Sequence, residues 1–123
     1  MVFNTEIMKF SEEIKKLRDS NRLIIVEGKK DQESMNKLGL DNVITINKPI
    51  FKIIDSINEK EVVLLTDLDK TGRKLYSELK HNLQKKGIKI DNNFRNFLIK
   101  ETRLTNIEGI ITYLNKINLK VNP

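Results

Sequence analysis

The sequence predicts an α/β fold, a three-layer α/β/α arrangement around a mainly parallel four-stranded sheet. Three observations carry this expectation. Short apolar runs, Leu23-Ile24-Ile25-Val26 and Val62-Val63-Leu64-Leu65 foremost, have the length and β-branched content of buried strands. Stretches between them place apolar residues at helical spacing. Strand and helix then alternate along the chain, an order that implies a parallel sheet covered on both faces.

The elements follow in order. From Thr5 to Arg18, Ile7, Phe10, Ile14 and Leu17 share one helical face, and Asp19-Ser20-Asn21 stops the helix. Arg22 to Val26 is the first strand, and Gly28 turns the chain out of it. Asp31 is expected to cap a helix running through Met35 and Leu38 to Gly39. Val43-Ile44-Thr45-Ile46 forms the second strand. Pro49 suits a first helical position, followed by a stripe of Ile50, Ile53, Ile54 and Ile57. Glu61 to Thr66 is the third strand. Asp69 or Thr71 opens a long helix carrying Leu75, Leu79 and Leu83, which Gly87 stops. Phe94 to Ile99 reads as the fourth strand, with Phe94, Asn96 and Leu98 alternating against Arg95, Phe97 and Ile99. A last helix from about Asn106 to Asn118 aligns Ile107, Ile110, Ile111, Leu114 and Ile117. The chain is expected to form one domain over residues 1–123, with the N-terminal helix in 1–20 and the α/β core in 21–118.

Composition narrows the function classes. The 123 residues suffice for one sizeable core, and 38% hydrophobic with 33% charged residues is ordinary for a globular protein. No apolar run approaches the roughly 20 residues that span a bilayer, and the first residues lack the basic-then-apolar order of a secretory signal. A cytoplasmic protein without membrane partners is the expectation. Cysteine is absent and His81 is the single histidine, which excludes a thiolate zinc site and disfavours a histidine one. The net charge of +6 suits a polyanionic partner such as nucleic acid. A Lys- and Asn-rich composition accounts for it equally well, because the basic residues are spread along the chain.

Two acidic clusters carry the chemistry. Val26-Glu27-Gly28-Lys29-Lys30-Asp31 and Thr66-Asp67-Leu68-Asp69-Lys70-Thr71-Gly72-Arg73 each follow an apolar strand. Ligands of open parallel sheets gather beyond the strand carboxyl ends. A strand order of 2-1-3-4, built with right-handed crossovers, sets the first strand beside the third and creates a switch point between them. Glu27, Asp67 and Asp69 would then converge as hard oxygen ligands suited to Mg²⁺. Glu27 would complete the metal shell or act as acid or base, its pKa raised by the aspartates. Lys29, Lys30, Lys70 and Arg73 stand ready for phosphates. Asp31 and Asp69 also fit simple helix caps, and Gly28 and Gly72 simple turns. Glu27 and Asp67 resist such explanations, since an acid directly after a buried strand gains nothing by packing.

These two segments resemble the signature motifs of the Toprim domain, shared by type IA and type II topoisomerases, bacterial primases, overcoming-lysogeny-defect nucleases, recombination-mediator proteins and ribosomal-RNA maturation nucleases. The resemblance implies a Toprim-like (Rossmann-like) fold with a four-stranded sheet. It implies that Glu27 is the acid/base glutamate and that Asp67 and Asp69 bind Mg²⁺, for which Mn²⁺ can substitute. Asp31 would support the first motif, and Gly72 and Arg73 would extend the second. Thr105-Asn106-Ile107-Glu108-Gly109 is similar to the stretch in small Toprim nucleases where a glutamate opens the final helix, but Thr105 and Glu108 are also spaced as a capping box. Tyr76 and Tyr113 read as packing residues, and His81 as solvent-facing. Asp67-Leu68-Asp69-Lys70-Thr71 also resembles the first motif of haloacid-dehalogenase-like phosphatases, yet no closely spaced acidic pair follows it.

The expected function is Mg²⁺-dependent phosphoryl transfer on nucleic-acid phosphodiesters, as a small nuclease of structured RNA or DNA. The alternative is a non-catalytic nucleic-acid-binding module or the Toprim subunit of a larger complex. Dimerisation would enlarge the binding surface, although the sequence identifies no interface.

Overall fold

The computed structural model describes residues 5–121. A first helix, α1 (Thr5–Ser20), precedes four strands, β1 (Leu23–Val26), β2 (Val43–Thr45), β3 (Glu61–Leu65) and β4 (Lys89–Asp91). Between them lie α2 (Lys29–Lys37), α3 (Ile50–Ser56) and α4 (Lys70–Lys85). After β4 come α5 (Asn93–Glu101), a 3₁₀ turn (Ile107–Gly109) and α6 (Ile110–Val121). The sheet order is β2-β1-β3-β4, and every neighbouring pair is parallel. The predicted order 2-1-3-4 is therefore observed.

Period-2 alternation divides the strands between two cores. Ile24, Val26, Val63 and Leu65 face a cluster with Phe10, Ile14 and Leu17 of α1, Met35 of α2, Phe94 and Leu98 of α5, and Ile110 of α6. Leu23, Ile25, Val62 and Leu64 face Ile53 and Ile54 of α3 and Leu79 and Leu83 of α4. The three layers follow, with α3 and α4 alone on one face. This division is what right-handed crossovers demand, since the chain steps from β1 to β2 in one direction and from β2 to β3 in the other. Among the described residues no helix is long and apolar enough to cross a membrane.

One predicted element is wrong. Phe94 to Ile99 is not a strand; it lies within α5, and the fourth strand is the earlier Lys89–Asp91. Phe94, Phe97 and Leu98 share one face only at helical spacing, and a shared aromatic cluster decides the matter. Phe10 of α1 sits edge-on to Phe94 at 6.1 Å and to Phe97 at 5.2 Å between ring centroids, and 5.6 Å from Tyr113. Only a helix presents Phe94 and Phe97 to the same partner. Gly87, at φ 86°, ends α4 two residues before β4. α1 makes its exit at Asn21, whose φ of 51° lies in the left-handed region that asparagine tolerates.

Replacing Phe10 removes the contact that α1 and α5 share. Phe10→Ala is expected to cost about 3–5 kcal/mol, measured by denaturant unfolding. A loss below about 1 kcal/mol would show that α5 docks without this cluster.

Candidate functional site

β1 and β3 are neighbours with Val26 opposite Leu65, so both strands leave the sheet side by side. Glu27 follows one and Thr66-Asp67 the other. The Asp67 amide donates to the Glu27 carboxylate Oε2 at 3.0 Å. Both acids line an open cleft of about 500 Å³ together with Gly28, Lys29, Lys30, Asp31, Asn106 and Glu108. The site therefore lies at the switch point beyond the strand ends.

Each acid of the two motifs accepts a main-chain N–H. Asp31 is 7% exposed, and its Oδ2 accepts from Gly28 N at 3.0 Å. It is not the N-cap expected from the sequence. α2 starts earlier, at Lys29 with Gly28 as N-cap, so Asp31 occupies the third helical position and reaches back. Asp69 does cap α4, its Oδ1 accepting from Gly72 N at 2.8 Å. Asp67 Oδ1 accepts from Ile107 N at 2.9 Å. The capping box expected from Thr105 and Glu108 does not form: the turn starts after Asn106, which makes no side-chain capping bond. Asp67, reaching across from β3, takes the amide that a local cap would have satisfied. Glu108 is left exposed at the rim of the cleft.

The expected convergence of Glu27, Asp67 and Asp69 on one point is not seen. Among the described residues no group of three or more His, Cys, Asp or Glu side chains is arranged to hold a metal ion. Asp69 is drawn to the helix start and does not line the cleft. The donor chemistry nonetheless fits Mg²⁺, because Glu27 and Asp67 offer hard carboxylate oxygens to an open cleft. One or two carboxylates are what Mg²⁺ ordinarily takes, its remaining positions going to water and phosphate. Lys29 and Lys30 are exposed on the cleft wall, while Lys70 and Arg73 are exposed on the first turn of α4, outside the cleft lining.

Gly72 is no turn residue. A β-carbon there would stand 2.0 Å from the Asp67 carbonyl oxygen, so only glycine lets α4 approach so closely. Thr66 seals the contact, its hydroxyl donating to the Gly72 carbonyl at 2.8 Å.

Sequence reasoning missed Arg95. This residue is 3% exposed, and its Nη1 and Nη2 donate to the carbonyls of Thr66 at 2.6 Å and Asp67 at 3.2 Å. The Tyr76 ring lies 4.5 Å from the guanidinium carbon. Tyr76 thus packs, as expected, but against a cation. Reading residues 94–99 as a strand hid Arg95, because only helical spacing places it on the buried face with Phe94 and Leu98.

Burial and neighbouring acids perturb this group. Desolvation, then the Asp67 side chain and the charge of Asp31, raise the Glu27 pKa from 4.5 to about 7. Burial chiefly raises Asp31 as well, with Asp67 and Glu108 adding repulsion. Burial pulls Arg95 down, while Tyr76, Glu27 and Asp67 act in the opposite sense.

With this geometry in view, the comparisons with known proteins decide the family. A family model described as the Toprim domain matches residues 21–92. The chain belongs to the Toprim family. Among its relatives, a UPF0292 protein of Methanocaldococcus jannaschii is 35% identical over 118 residues, covering 90% of this chain and 91% of its own. A UPF0292 protein of Pyrococcus abyssi is 33% identical over 115 residues, covering 89% and 87% respectively. A solved structure from Aquifex aeolicus matches with a TM-score of 0.74 at 36% identity, covering 80% of this chain and 94% of that one. The Toprim domain suggests a metal-dependent, nucleic-acid-related role, and Toprim domains generally bind Mg²⁺.

Two outcomes test the site. Because the folded protein binds the Glu27 proton more tightly than the unfolded chain, this group's stabilisation is complete below about pH 4.5 and is lost as pH rises through about 7. In chelator, the wild type should lose about 1–3 kcal/mol between pH 5 and pH 8 that Glu27→Gln retains. Parallel unfolding curves for the two proteins across that range would refute the shift. Gly72→Ala should cost at least about 2 kcal/mol, read by denaturant unfolding; unchanged stability would mean that α4 can retreat freely.

Proposed function

We propose that this Toprim protein is a Mg²⁺-dependent nuclease that cleaves phosphodiesters in structured RNA or DNA. The observation that supports it best is the Glu27–Asp67 pair: two carboxylates from adjacent parallel strands, hydrogen-bonded through the Asp67 amide, at the wall of an open cleft. Glu27 and Asp67 would hold the metal, which when bound polarises a phosphoryl oxygen and steadies the leaving oxygen. Where Glu27 does not share the metal, burial and Asp67, which raise its pKa to about 7, suit it instead to transfer a proton near neutral pH as a general acid or base. Asp31 and Glu108 add negative charge around the same cleft. Asp69 contributes from the α4 N-cap, where it fixes the turn that follows Asp67.

Nucleic acid is the partner this reading requires. Lys29 and Lys30 on the cleft wall would take the phosphates nearest the acids. Lys70 and Arg73, exposed on the first turn of α4, would take phosphates farther along the strand. These contacts position the backbone without reading bases, so the reading calls for recognition by nucleic-acid structure.

The test is cleavage of a panel of structured RNA and DNA substrates by protein purified in parallel with its variants. Mg²⁺ or Mn²⁺ should be required, and Asp67→Ala and Glu27→Gln should each lower the rate about 100-fold or more. Variants as active as wild type would exclude this site from catalysis. Salt-sensitive binding without turnover would instead identify a non-catalytic binding module or the subunit of a larger assembly. Lys30→Ala should weaken binding to all sequences alike and reduce the slope of log affinity against log salt by about one.

A further inference from the structure

Arg95 asks for an explanation that packing does not supply. A buried guanidinium is costly, and an apolar side chain of similar volume commonly serves a fold as well or better. Docking of α5 does not require it, since Phe94 and Leu98 already fill the core on either side. What Arg95 does is grip two successive carbonyls, those of Thr66 and Asp67.

Peptide units are planar and trans, so a carbonyl and the following N–H point in opposite directions. The Thr66 carbonyl and the Asp67 N–H belong to one unit: Arg95 holds the first, and the second donates to Glu27. The Asp67 carbonyl and the Leu68 N–H belong to the next unit: Arg95 holds the carbonyl at 3.2 Å, and Leu68 N donates to Thr105 O at 2.8 Å. Both peptide planes around Asp67 are thus set from behind by one rigid fork. The fork is held in turn, lying over Tyr76, whose hydroxyl donates to Asn92 Oδ1 at 2.6 Å. A lysine in this place would keep the charge but offer a single nitrogen where two directed donors are needed.

We propose that Arg95 is the positioning residue of the site, aiming the Asp67 amide at Glu27 and the Asp67 carboxylate at the cleft by holding the Thr66 and Asp67 carbonyls. The assignment rests on the nuclease reading only for what the aimed carboxylates then do.

Arg95→Lys tests it in metal-free protein by amide hydrogen exchange. The Asp67 and Leu68 amides should exchange at least about tenfold faster relative to the Leu64 amide of β3, a ratio that corrects for any global loss of stability. Mn²⁺ affinity should fall about tenfold or more, as when a partner that orients a metal ligand is lost. Equal acceleration at Asp67, Leu68 and Leu64, or an unchanged exchange pattern, would overturn the proposal. Should Arg95→Lys not fold, Tyr76→Leu leaves the arginine but removes the ring that braces it, and the same selective loosening is expected; uniform or absent loosening there overturns the proposal equally. If the wild type neither binds Mn²⁺ nor cleaves nucleic acid, the nuclease reading falls, and the exchange ratio alone still decides the role of Arg95.

Discussion

The parallel register of β1 and β3 pairs Ile24 with Val63 and Val26 with Leu65, and the site inherits its geometry from that pairing. Glu27 and Thr66 are the next residues out, so Asp67 follows closely enough for its amide to meet the Glu27 carboxylate. A slip of one residue would reverse which side chains face which core. Such a slip is opposed on both faces, because odd and even positions of each strand are buried in separate clusters. Residues with no chemistry of their own therefore determine which two carboxylates meet.

Around that meeting point the site answers its own polarity with main-chain donors. Glu27, Asp31, Asp67 and Asp69 accept from Asp67, Gly28, Ile107 and Gly72 respectively. Among the described residues no buried side-chain nitrogen or oxygen lacks a hydrogen-bond partner, as a stable interior demands. Burial foremost, and then the neighbouring acids, keep the proton on the Glu27 carboxyl far above the usual range, although the Asp67 amide works against them. The chain as a whole carries a net charge of +6, yet this cleft gathers four carboxylates. Local burial and charge, and not net charge, set its chemistry.

What was legible in the sequence is what depends on neighbours in the chain. The Leu-Ile-Ile-Val and Val-Val-Leu-Leu runs announced the central strands, and acids placed directly after them announced the cleft. The Asp69 cap was equally readable, since Asp69 and Gly72 lie three residues apart. What escaped depends on distance. The Ile107 amide that Asp67 binds is forty residues away, and nothing local marks it. Residues 94–99 are too short a run to announce their period, and the packing of Phe94 and Phe97 on Phe10, far upstream, goes with the helix. Asp69 was expected at the metal, and the structure shows the other role that the sequence allowed it, with Oδ1 capping α4. Gly72 carried a visible signal, but a glycine in a motif does not reveal whether a turn or a carbonyl requires it.

The stretch shared with the family model ends at residue 92 and contains every motif acid. Two groups that hold Asp67 in place, the Arg95 guanidinium and the Ile107 amide, come after it. The stretch that matches the family and the stretch that holds Asp67 in place are thus different lengths of chain. Moved alone into another scaffold, residues 21–92 would bring the carboxylates without their supports, and the host would have to provide a buried cation and a free amide at matching positions. Recombination that exchanged the C-terminal helices between relatives would re-aim the site while leaving its signature intact.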